Sequence, residues 1–250
     1  MRFVISAVST RIGGVSQYPY HTLNLAYHVG DARGAVAENR QRFCDTLGID
    51  VNSLVLAQQI HGDGIAVIDE SQAGCGAHRH EDAIPCADGM ITRSPSIALS
   101  VLTADCIPML VIDPVRRVIG IAHVGWKGAL RMTAAKTVLK MRDTFGSMQG
   151  DCLVSLGPSI GPCCYEVKAD VISQFQHVFG PAACITGNRL DLRRAVEMQL
   201  VDIGVEERNI SSVVARHDVP LCTACNLDLF YSHRAEGGRT GRMMSVIKLA

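Results

Sequence analysis

Residues 97–128 read IALSVLTADCIPMLVIDPVRRVIGIAHVGWKG, and the pattern within them decides the fold. Two apolar runs, 109–112 and 118–122, flank the dipeptide Asp113-Pro114, which is typical of a turn. A third apolar run, 97–102, comes shortly before them. Continuous apolar runs of this length suit strands that are buried on both faces. We therefore predict a hairpin that is preceded by a further buried strand.

Other parts of the chain show related patterns. Apolar runs of strand length lie at residues 1–8, 55–56, 65–68, 152–156, 213–215 and 243–249. Helical periodicity is clear from Asp31, a candidate cap, to Gly48, from 130 to Gly146, and from 192 to Gly204. Hairpins mixed with strand–helix units predict an α/β or α+β layered fold. Because no linker separates them, we expect one domain over residues 1–250.

The composition argues against several classes of protein. The chain has 250 residues, 48% of them hydrophobic, which predicts a sizeable buried core. Lys plus Arg and Asp plus Glu each number 24, so the chain lacks the positive charge of a general nucleic-acid binder. No stretch reaches the roughly 20 apolar residues of a membrane span, and Thr10-Arg11 interrupts the first apolar run before a signal peptide develops. We therefore expect a cytoplasmic protein whose ten cysteines are reduced.

Three candidate metal ligands lie where predicted strands end. His61 closes the sequence QQIH at 58–61, Cys106 follows the run 97–102, and His123 follows the run 118–122. The predicted hairpin brings Cys106 and His123 to the same end, and His61 could join them from another strand end. Two imidazoles and a thiolate leave the fourth position of a tetrahedral zinc site open, as in catalytic zinc sites.

Each of these features also has a structural interpretation. A single histidine at a strand end or a buried cysteine is commonly inert. The sequence CTAC at 222–225 lacks the second cysteine pair of a zinc motif. Residues 71–82 include Cys75, His78 and His80 but are interpreted as a solvated loop. Residues 125–128 could bind phosphate at a helix start beside Lys127, or form a turn that packs Trp126 on the core.

These motifs resemble those of the YfiH-like (laccase-domain) family nearly from end to end. The matching blocks are TRIGGVS (10–16), LNL (23–25), HVGD (28–31), NR (39–40), QQIHG (58–62), ADG (87–89), TADCIP (103–108), HVGWKG (123–128), GPSIGPCCYEV (157–167), CT (222–223), SHR (232–234) and TGR (240–242). Three positions depart from the usual pattern: Val124 where Ala is common, Lys127 where Arg is common, and His233 where Tyr or Arg is common. Lys127 keeps the positive charge but loses a bidentate fork.

The resemblance implies a layered α/β/β/α arrangement with mixed sheets. It also implies zinc binding through His61, Cys106 and His123. Members are similar to enzymes that phosphorolyse adenosine, inosine and methylthioadenosine and that deaminate adenosine. They were earlier described as copper-dependent polyphenol oxidases, and some are linked to peptidoglycan precursor editing.

Further residues are candidates for roles in these reactions. For deamination, zinc could activate a water molecule while Asp105 shuttles protons, provided that the loop bends to turn Asp105 toward the metal. For phosphorolysis, Arg11 and Lys127 are candidate phosphate contacts, and Asn24 and Gln58 are candidate substrate contacts. Each of these four residues could equally stabilise a turn or the surface.

Two other enzyme classes and a binding role remain open. Two histidines and a cysteine also form blue-copper centres, but only seven histidines remain for the further copper ions of a laccase. Cys106 could instead be the nucleophile of a cysteine hydrolase, with His123 as its base. A non-catalytic binding protein is the third alternative. Cys163-Cys164 lies among glycines and prolines and is expected to form a rigid loop near the site, with its role open.

Overall fold

The computed structural model describes residues 4–181, 183–212 and 221–250. The α-helices in these ranges are α1 (Arg33–Leu47), α2 (Trp126–Leu130), α3 (Thr133–Phe145), α4 (Ala169–Phe179) and α5 (Leu192–Asp202). The strands are β1 (Val4–Val8), β2 (Leu54–Leu56), β3 (Ile65–Val67), β4 (Gly89–Thr92), β5 (Ala98–Thr103), β6 (Ile107–Asp113), β7 (Val118–Val124), β8 (Leu153–Leu156), β9 (Ile185–Thr186), β10 (Arg189–Leu190), β11 (Ile210–Ser212) and β12 (Met243–Leu249). None of the described helices is long and apolar enough to cross a bilayer.

Two mixed sheets form the centre of the molecule. One has four strands in the order β1-β12-β5-β2, and the other has six in the order β11-β8-β6-β7-β4-β3. The pairs β2–β5, β3–β4 and β8–β11 are parallel, and the other pairs in these two sheets are antiparallel. Strands β9 and β10 form a separate small hairpin.

The side chains of these strands alternate between two apolar layers, as the period of a strand requires. Leu99 of β5 and Ile121 of β7 pack in the layer between the sheets. On the opposite face of the four-stranded sheet, Leu102 packs with Phe43 of α1. The other face of the six-stranded sheet packs on α2 to α5. The order of layers is therefore α/β/β/α with mixed sheets, which confirms the predicted fold class.

The predicted hairpin forms, and its register determines where the candidate ligands lie. Strand β6 pairs antiparallel with β7, with Pro108 opposite His123. The Asp113 carboxylate accepts the backbone N–H groups of Val115 (2.9 Å) and Arg116 (3.0 Å) and so fixes the turn. Cys106, immediately before β6, consequently reaches the same end of the hairpin as His123.

Several elements differ from the sequence prediction. Helix α1 begins at Arg33 without a side-chain cap, because the Asp31 carboxylate instead accepts the Ser16 hydroxyl (2.6 Å) and the Asn24 amide (2.9 Å). The helix predicted over 130–145 is divided into α2 and α3 by Met132, whose φ is 62°. Helix α4 and strand β4 were not predicted. The strand predicted over 213–215 lies outside the described residues, and β11 ends directly before it.

Candidate active site and metal centre

The fold brings the three predicted metal ligands together. His61 lies in the loop after β2, Cys106 lies between β5 and β6, and His123 lies in β7. The donor atoms of all three residues lie within 4.8 Å of one another. Nε2 of His61 is 3.9 Å from Sγ of Cys106, and the two imidazole rings meet edge to face with centres 4.7 Å apart.

This geometry fits a tetrahedral metal ion. Zinc with bonds of about 2.05 Å to nitrogen and 2.3 Å to sulfur would hold those two atoms about 3.6 Å apart. A Cβ atom at Gly125 would lie 2.9 Å from Sγ of Cys106 and 3.1 Å from Cδ2 of His61. Glycine at position 125 therefore leaves space for the ligands to converge. The group contains three donors and no fourth His, Cys, Asp or Glu among the described residues.

Asp88 connects two of the ligands. Its Oδ1 lies 2.8 Å from Nδ1 of His123, which leaves Nε2 of that ring free for a metal. Its carboxylate also accepts the backbone N–H groups of Ile60 (3.1 Å), His61 (3.0 Å) and Gly62 (2.6 Å). Carboxylates that orient histidine ligands in this way are the usual partners of zinc sites. The prediction from sequence missed Asp88, although the block ADG at 87–89 contains it.

Cys106, His123 and Asp88 stabilise one another in their charged forms. Burial raises the pKa of Cys106, but the nearby His123 and His61 rings outweigh burial and lower that pKa to about 6. Burial lowers the pKa of His123, but Cys106 and Asp88 outweigh it and raise that pKa to about 9. Asp88 keeps a lowered pKa because hydrogen bonds from His123 and the backbone N–H groups outweigh its burial. The site therefore favours the thiolate form of Cys106, which is the form that binds metals.

Backbone geometry at two residues is unusual for side chains larger than glycine. His61 has a φ of 58° and Asp105 has a φ of 91°, both in the left-handed region. Such conformations persist only where surrounding contacts hold them. For His61 these contacts include the Asp88 carboxylate, the Arg131 guanidinium on its carbonyl (3.1 Å), and the Thr133 hydroxyl on the next carbonyl (2.9 Å). The break between α2 and α3 therefore places two donors on the ligand loop.

Asp105 is held by a different part of the chain. Its carboxylate accepts the hydroxyls of Thr223 (2.6 Å) and Ser232 (2.7 Å) and the backbone N–H of Arg234 (2.7 Å). The loop bends at Asp105, where φ is 91°. These three donors nevertheless hold the carboxylate on the segment 223–234, where it anchors the loop that carries Cys106.

A cavity of about 410 Å³ opens over the three ligands. Its walls come from both sheets and from the segments around them. Its lining includes His28, His80, His233, Tyr165, Arg234 and Arg242. A cavity of this size is within the range of roughly 300–1,000 Å³ that binds small organic molecules.

None of the four predicted substrate contacts belongs to these walls, and two of them are buried beside the site. The Arg11 guanidinium pairs with Glu236 (3.0 Å), lies 4.5 Å from the centre of the Tyr231 ring, and is buried. Glu236 also accepts the backbone N–H of Ser232 (2.9 Å), so Arg11 supports a residue that holds Asp105. Asn24 is fully buried, and its carbonyl oxygen accepts the backbone N–H of Arg242 (2.9 Å). Both side chains therefore stabilise segments next to the cavity and do not line it.

The other two predicted contacts are nearer to solvent. Lys127 is exposed, with its ammonium 5.6 Å from the centre of the Trp126 ring, and Trp126 lines the cavity. The Gln58 amide reaches the carbonyl of Glu81 at 3.4 Å, while the neighbouring Gln59 lines the cavity. Neither Lys127 nor Gln58 is among the residues of the cavity wall.

Histidines from distant segments meet beside the ligands. The rings of His28 and His80 lie 4.8 Å apart, and both line the cavity. His78 is directed elsewhere, with its Nε2 2.9 Å from the side-chain oxygen of Asn52. Residues 71–82 contribute no side chain to a metal-binding group, in line with their interpretation as a solvated loop, but His80 is half-buried because the fold places it against His28.

The chain is similar to known proteins over almost all of its length. The family model described as multi-copper polyphenol oxidoreductase laccase matches residues 5–250. Purine nucleoside phosphorylase YlmD of Bacillus subtilis is 34% identical over 251 residues, which cover 98% of this chain and 88% of that protein. A purine nucleoside phosphorylase of Corynebacterium glutamicum is 35% identical over 251 residues, covering 99% and 95% of the two chains.

Solved structures of similar proteins have the same fold as this chain. The crystal structure of hypothetical protein YfiH from Bacillus licheniformis has a TM-score of 0.94 and 36% identity, covering 99% of this chain and 93% of that one. YlmD from Geobacillus stearothermophilus has a TM-score of 0.92 and 32% identity, covering 98% and 92%. The chain therefore belongs to the multi-copper polyphenol oxidoreductase laccase family, the YfiH-like family that its motifs predicted.

Proposed function

We propose that the chain is a zinc-dependent purine nucleoside phosphorylase. It would convert adenosine, inosine or S-methyl-5'-thioadenosine, together with phosphate, into the free base and the corresponding ribose 1-phosphate. The observation that carries this proposal is the group of His61, Cys106 and His123 beneath a cavity of about 410 Å³. Relatives that span almost the whole chain carry the name purine nucleoside phosphorylase, which supports the same reaction.

The reaction exchanges one bond at the ribose. The bond from C1 of the ribose to the purine nitrogen breaks, a phosphate oxygen bonds to C1, and the departing nitrogen takes a proton. Zinc held by the three ligands would supply a Lewis acid. The residues of the chain must hold phosphate on one side of the ribose and the base on the other.

The cavity offers suitable groups for both tasks. The guanidinium groups of Arg234 and Arg242 line it, and guanidinium is the side chain best suited to bind phosphate in a bidentate manner. Burial, and then the nearby His80, lower the pKa of His28 to about 4, so its imidazole is neutral. We assign Arg242 to phosphate and the paired rings of His28 and His80 to the polar edge of the purine. Exposed Lys127 would attract phosphate at the rim, and Gln58 would support the neighbouring Gln59.

Adenosine deamination is a second activity that we propose for the same cavity. It replaces the amino group of adenine with oxygen from water and releases ammonia. Asp105 was the candidate for proton transfer in this step. Because three donors hold its carboxylate, we now propose that Asp105 acts by positioning Cys106. Arg11 and Asn24 would act in the same way, through Glu236 and Arg242.

One incubation tests the proposal. The purified, zinc-loaded protein is given adenosine with and without phosphate, and adenine, inosine, hypoxanthine and ribose 1-phosphate are separated by chromatography. We expect adenine and ribose 1-phosphate only when phosphate is present, and inosine in either case. A chelator and His61→Ala should abolish all products. Absence of nucleoside turnover by the zinc-loaded parent would contradict both proposed activities and would make a non-catalytic binding protein a credible alternative.

Two alternatives have specific support. The family description names copper, and five histidines lie at or around the cavity, so a polyphenol oxidase remains a candidate. Copper bound to thiolate absorbs visible light, whereas zinc is colourless, so metal analysis with a visible spectrum separates them. The Cys106–His123 pair also suits a cysteine hydrolase. A zinc-bound Cys106 should resist iodoacetamide until a chelator is added, whereas a free nucleophile should react at once.

The proposal also covers the domain organisation, the location and the partners of the chain. We propose that residues 1–250 form one catalytic domain, because Thr103 of the four-stranded sheet and His123 of the six-stranded sheet line the same cavity. We also propose a cytoplasmic location: all ten cysteines lie among the described residues and none is in a disulfide, which fits a reducing compartment. Small nucleosides and phosphate would be its partners, with neither nucleic acid nor membrane involved.

A further inference from the structure

A second group of metal-binding side chains lies outside the proposed catalytic centre. The sulfur atoms of Cys163, Cys164, Cys222 and Cys225 all lie within 4.8 Å of one another. Sγ of Cys225 is 3.3 Å from Sγ of Cys164 and 3.6 Å from Sγ of Cys163. The sequence has no second Cys-x-x-Cys to accompany the CTAC segment, but the fold brings the adjacent Cys163 and Cys164, about 60 residues earlier, beside it.

Backbone contacts hold the two cysteine pairs against each other. Ser159 and Cys222 form a parallel bridge, in which the Thr223 N–H donates to the Ser159 carbonyl (3.1 Å). The backbone N–H groups of Cys164 and Tyr165 both donate to the Gly161 carbonyl (3.0 Å each) and close a tight turn around the first pair. The four thiols are therefore carried by an ordered backbone.

Local details favour a cluster of sulfur ligands. The backbone N–H of Gly161 points at Sγ of Cys222 at 3.2 Å, which is a donor suited to a thiolate. A Cβ atom at position 161 would lie 3.3 Å from Sγ of Cys163 and 3.3 Å from Cβ of Cys222. Glycine therefore keeps open the space in which the sulfur atoms meet.

The distances match a metal site better than a disulfide. Sulfur atoms around a tetrahedral zinc with bonds of about 2.3 Å are about 3.8 Å apart, whereas disulfide sulfurs are about 2.05 Å apart. Two of the separations here are 3.3 and 3.6 Å, and all pairs lie within 4.8 Å. Four thiols also form a closed ligand set, and a tetrahedral set of four sulfurs is typical of zinc.

We propose that Cys163, Cys164, Cys222 and Cys225 bind a structural zinc ion. This ion would join two segments that build the wall of the catalytic cavity. Tyr165, next to Cys164, lines the cavity, and the hydroxyl of Thr223, next to Cys222, holds Asp105 at 2.6 Å. Because all four positions are filled by protein ligands, the second zinc has no open position for substrate.

Zinc stoichiometry tests this site without any assay of turnover. The full chain is produced with zinc and a thiol reductant, and the amount of zinc per chain is measured by inductively coupled plasma mass spectrometry. The parent should hold about two ions, and Cys225→Ser and His61→Ala should each hold about one, because each removes a ligand from a different site. Cys86→Ser is the matched control, since Cys86 is exposed and outside both groups, and it should keep both ions.

Cobalt substitution identifies which ion each variant loses. A cobalt tetrathiolate has strong sulfur-to-metal absorption, which His61→Ala should retain and Cys225→Ser should lose. A parent with one ion whose cobalt form shows the tetrathiolate absorption would contradict the proposed catalytic metal and leave the second site intact, so the two proposals fail separately. Parental zinc content in Cys225→Ser, or a one-ion parent whose cobalt form lacks that absorption, would overturn the second site.

Thiol labelling covers the case in which Cys225→Ser does not fold. In the native parent, the exposed Cys163 and Cys225 should be protected from iodoacetamide until zinc is removed by a chelator. Rapid labelling of both residues without zinc release would contradict the site. A disulfide to Cys225 in protein purified under reductant would contradict it as well.

Discussion

Nδ1 of His123 lies 2.8 Å from Oδ1 of Asp88, and the two side chains are almost completely buried. The same carboxylate accepts three consecutive backbone N–H groups from the loop that carries His61. One carboxylate thus orients a ligand of the six-stranded sheet and a ligand of a loop that follows the four-stranded sheet. The relative position of His61 and His123 depends on this residue.

Asp88→Asn should weaken zinc binding at the His61–Cys106–His123 site by about 10- to 100-fold. In the variant, the NH2 group of the asparagine would face hydrogen-bond donors that face a carboxylate oxygen in the parent. The substitution also removes the negative charge beside His123. Competition with a chromophoric chelator measures the affinity. Asp143→Asn, an exposed carboxylate on α3, is the control and should leave affinity unchanged. Equal affinity in the two variants would contradict the role of Asp88.

Gly125→Ala should disturb the same site by steric contact. The new methyl group would lie 2.9 Å from Sγ of Cys106 and 3.1 Å from the His61 ring, so at least one ligand must move. We expect zinc affinity to fall on the order of tenfold. Gly34→Ala on α1 is matched to it, because its methyl group meets nothing within 4 Å. That variant should keep its zinc affinity and gain roughly 0.5–1 kcal/mol in free energy of unfolding.

Ser232→Ala should destabilise the fold through Asp105. It removes one of three donors to a buried carboxylate, which should lower the free energy of unfolding by about 1–3 kcal/mol. Denaturant unfolding at fixed zinc and reductant measures this change. Ser53→Ala removes a hydroxyl that bonds the nearby Asp50 carbonyl, and it should cost less. A Ser232→Ala protein as stable as Ser53→Ala would show that the contacts of Asp105 contribute little.

Arg242→Met should raise the KM for phosphate more than kcat falls. Loss of a charge-assisted hydrogen bond of about 1.5–3 kcal/mol corresponds to roughly a tenfold or larger increase. Arg242→Lys should recover part of the effect, because it restores the charge without the fork. Lys127→Met, at the exposed rim, should have a smaller effect that salt suppresses. If Lys127→Met has the larger effect at physiological salt, the assignment of phosphate to Arg242 is wrong.

Local patterns predicted much of the fold. The apolar runs around Asp113-Pro114 predicted the β6–β7 hairpin, which places Cys106 and His123 at one end of the sheet. Glycines at 48 and 146 marked the ends of α1 and α3, because both adopt a positive φ there. Helix α4 escaped prediction although Val171 and Phe175 share its buried face. The confirmed elements and the missed helix α4 all depend on sequence patterns that span only a few residues.

The roles of charged and polar side chains were harder to predict. Arg11 and Asn24 were candidates for substrate contact, yet their partners are Glu236 and the backbone of Arg242. Asp88 had no assigned role, because a carboxylate reveals its partners only after distant backbone N–H groups converge on it. The sequence showed the motif that contains each residue, but it did not show which way the side chain points in the fold.

The sequence by itself determined a layered α/β fold, the central hairpin and three candidate metal ligands, since apolar periodicity and ligand chemistry are properties of the chain. Only the tertiary structure decided that His80 meets His28, that Asp88 joins His61 to His123, and that Cys163-Cys164 faces Cys222 and Cys225. Each of these contacts joins residues separated by between 27 and 62 positions in the chain. Their separations are fixed by how the sheets pack, and local sequence carries little information about that packing.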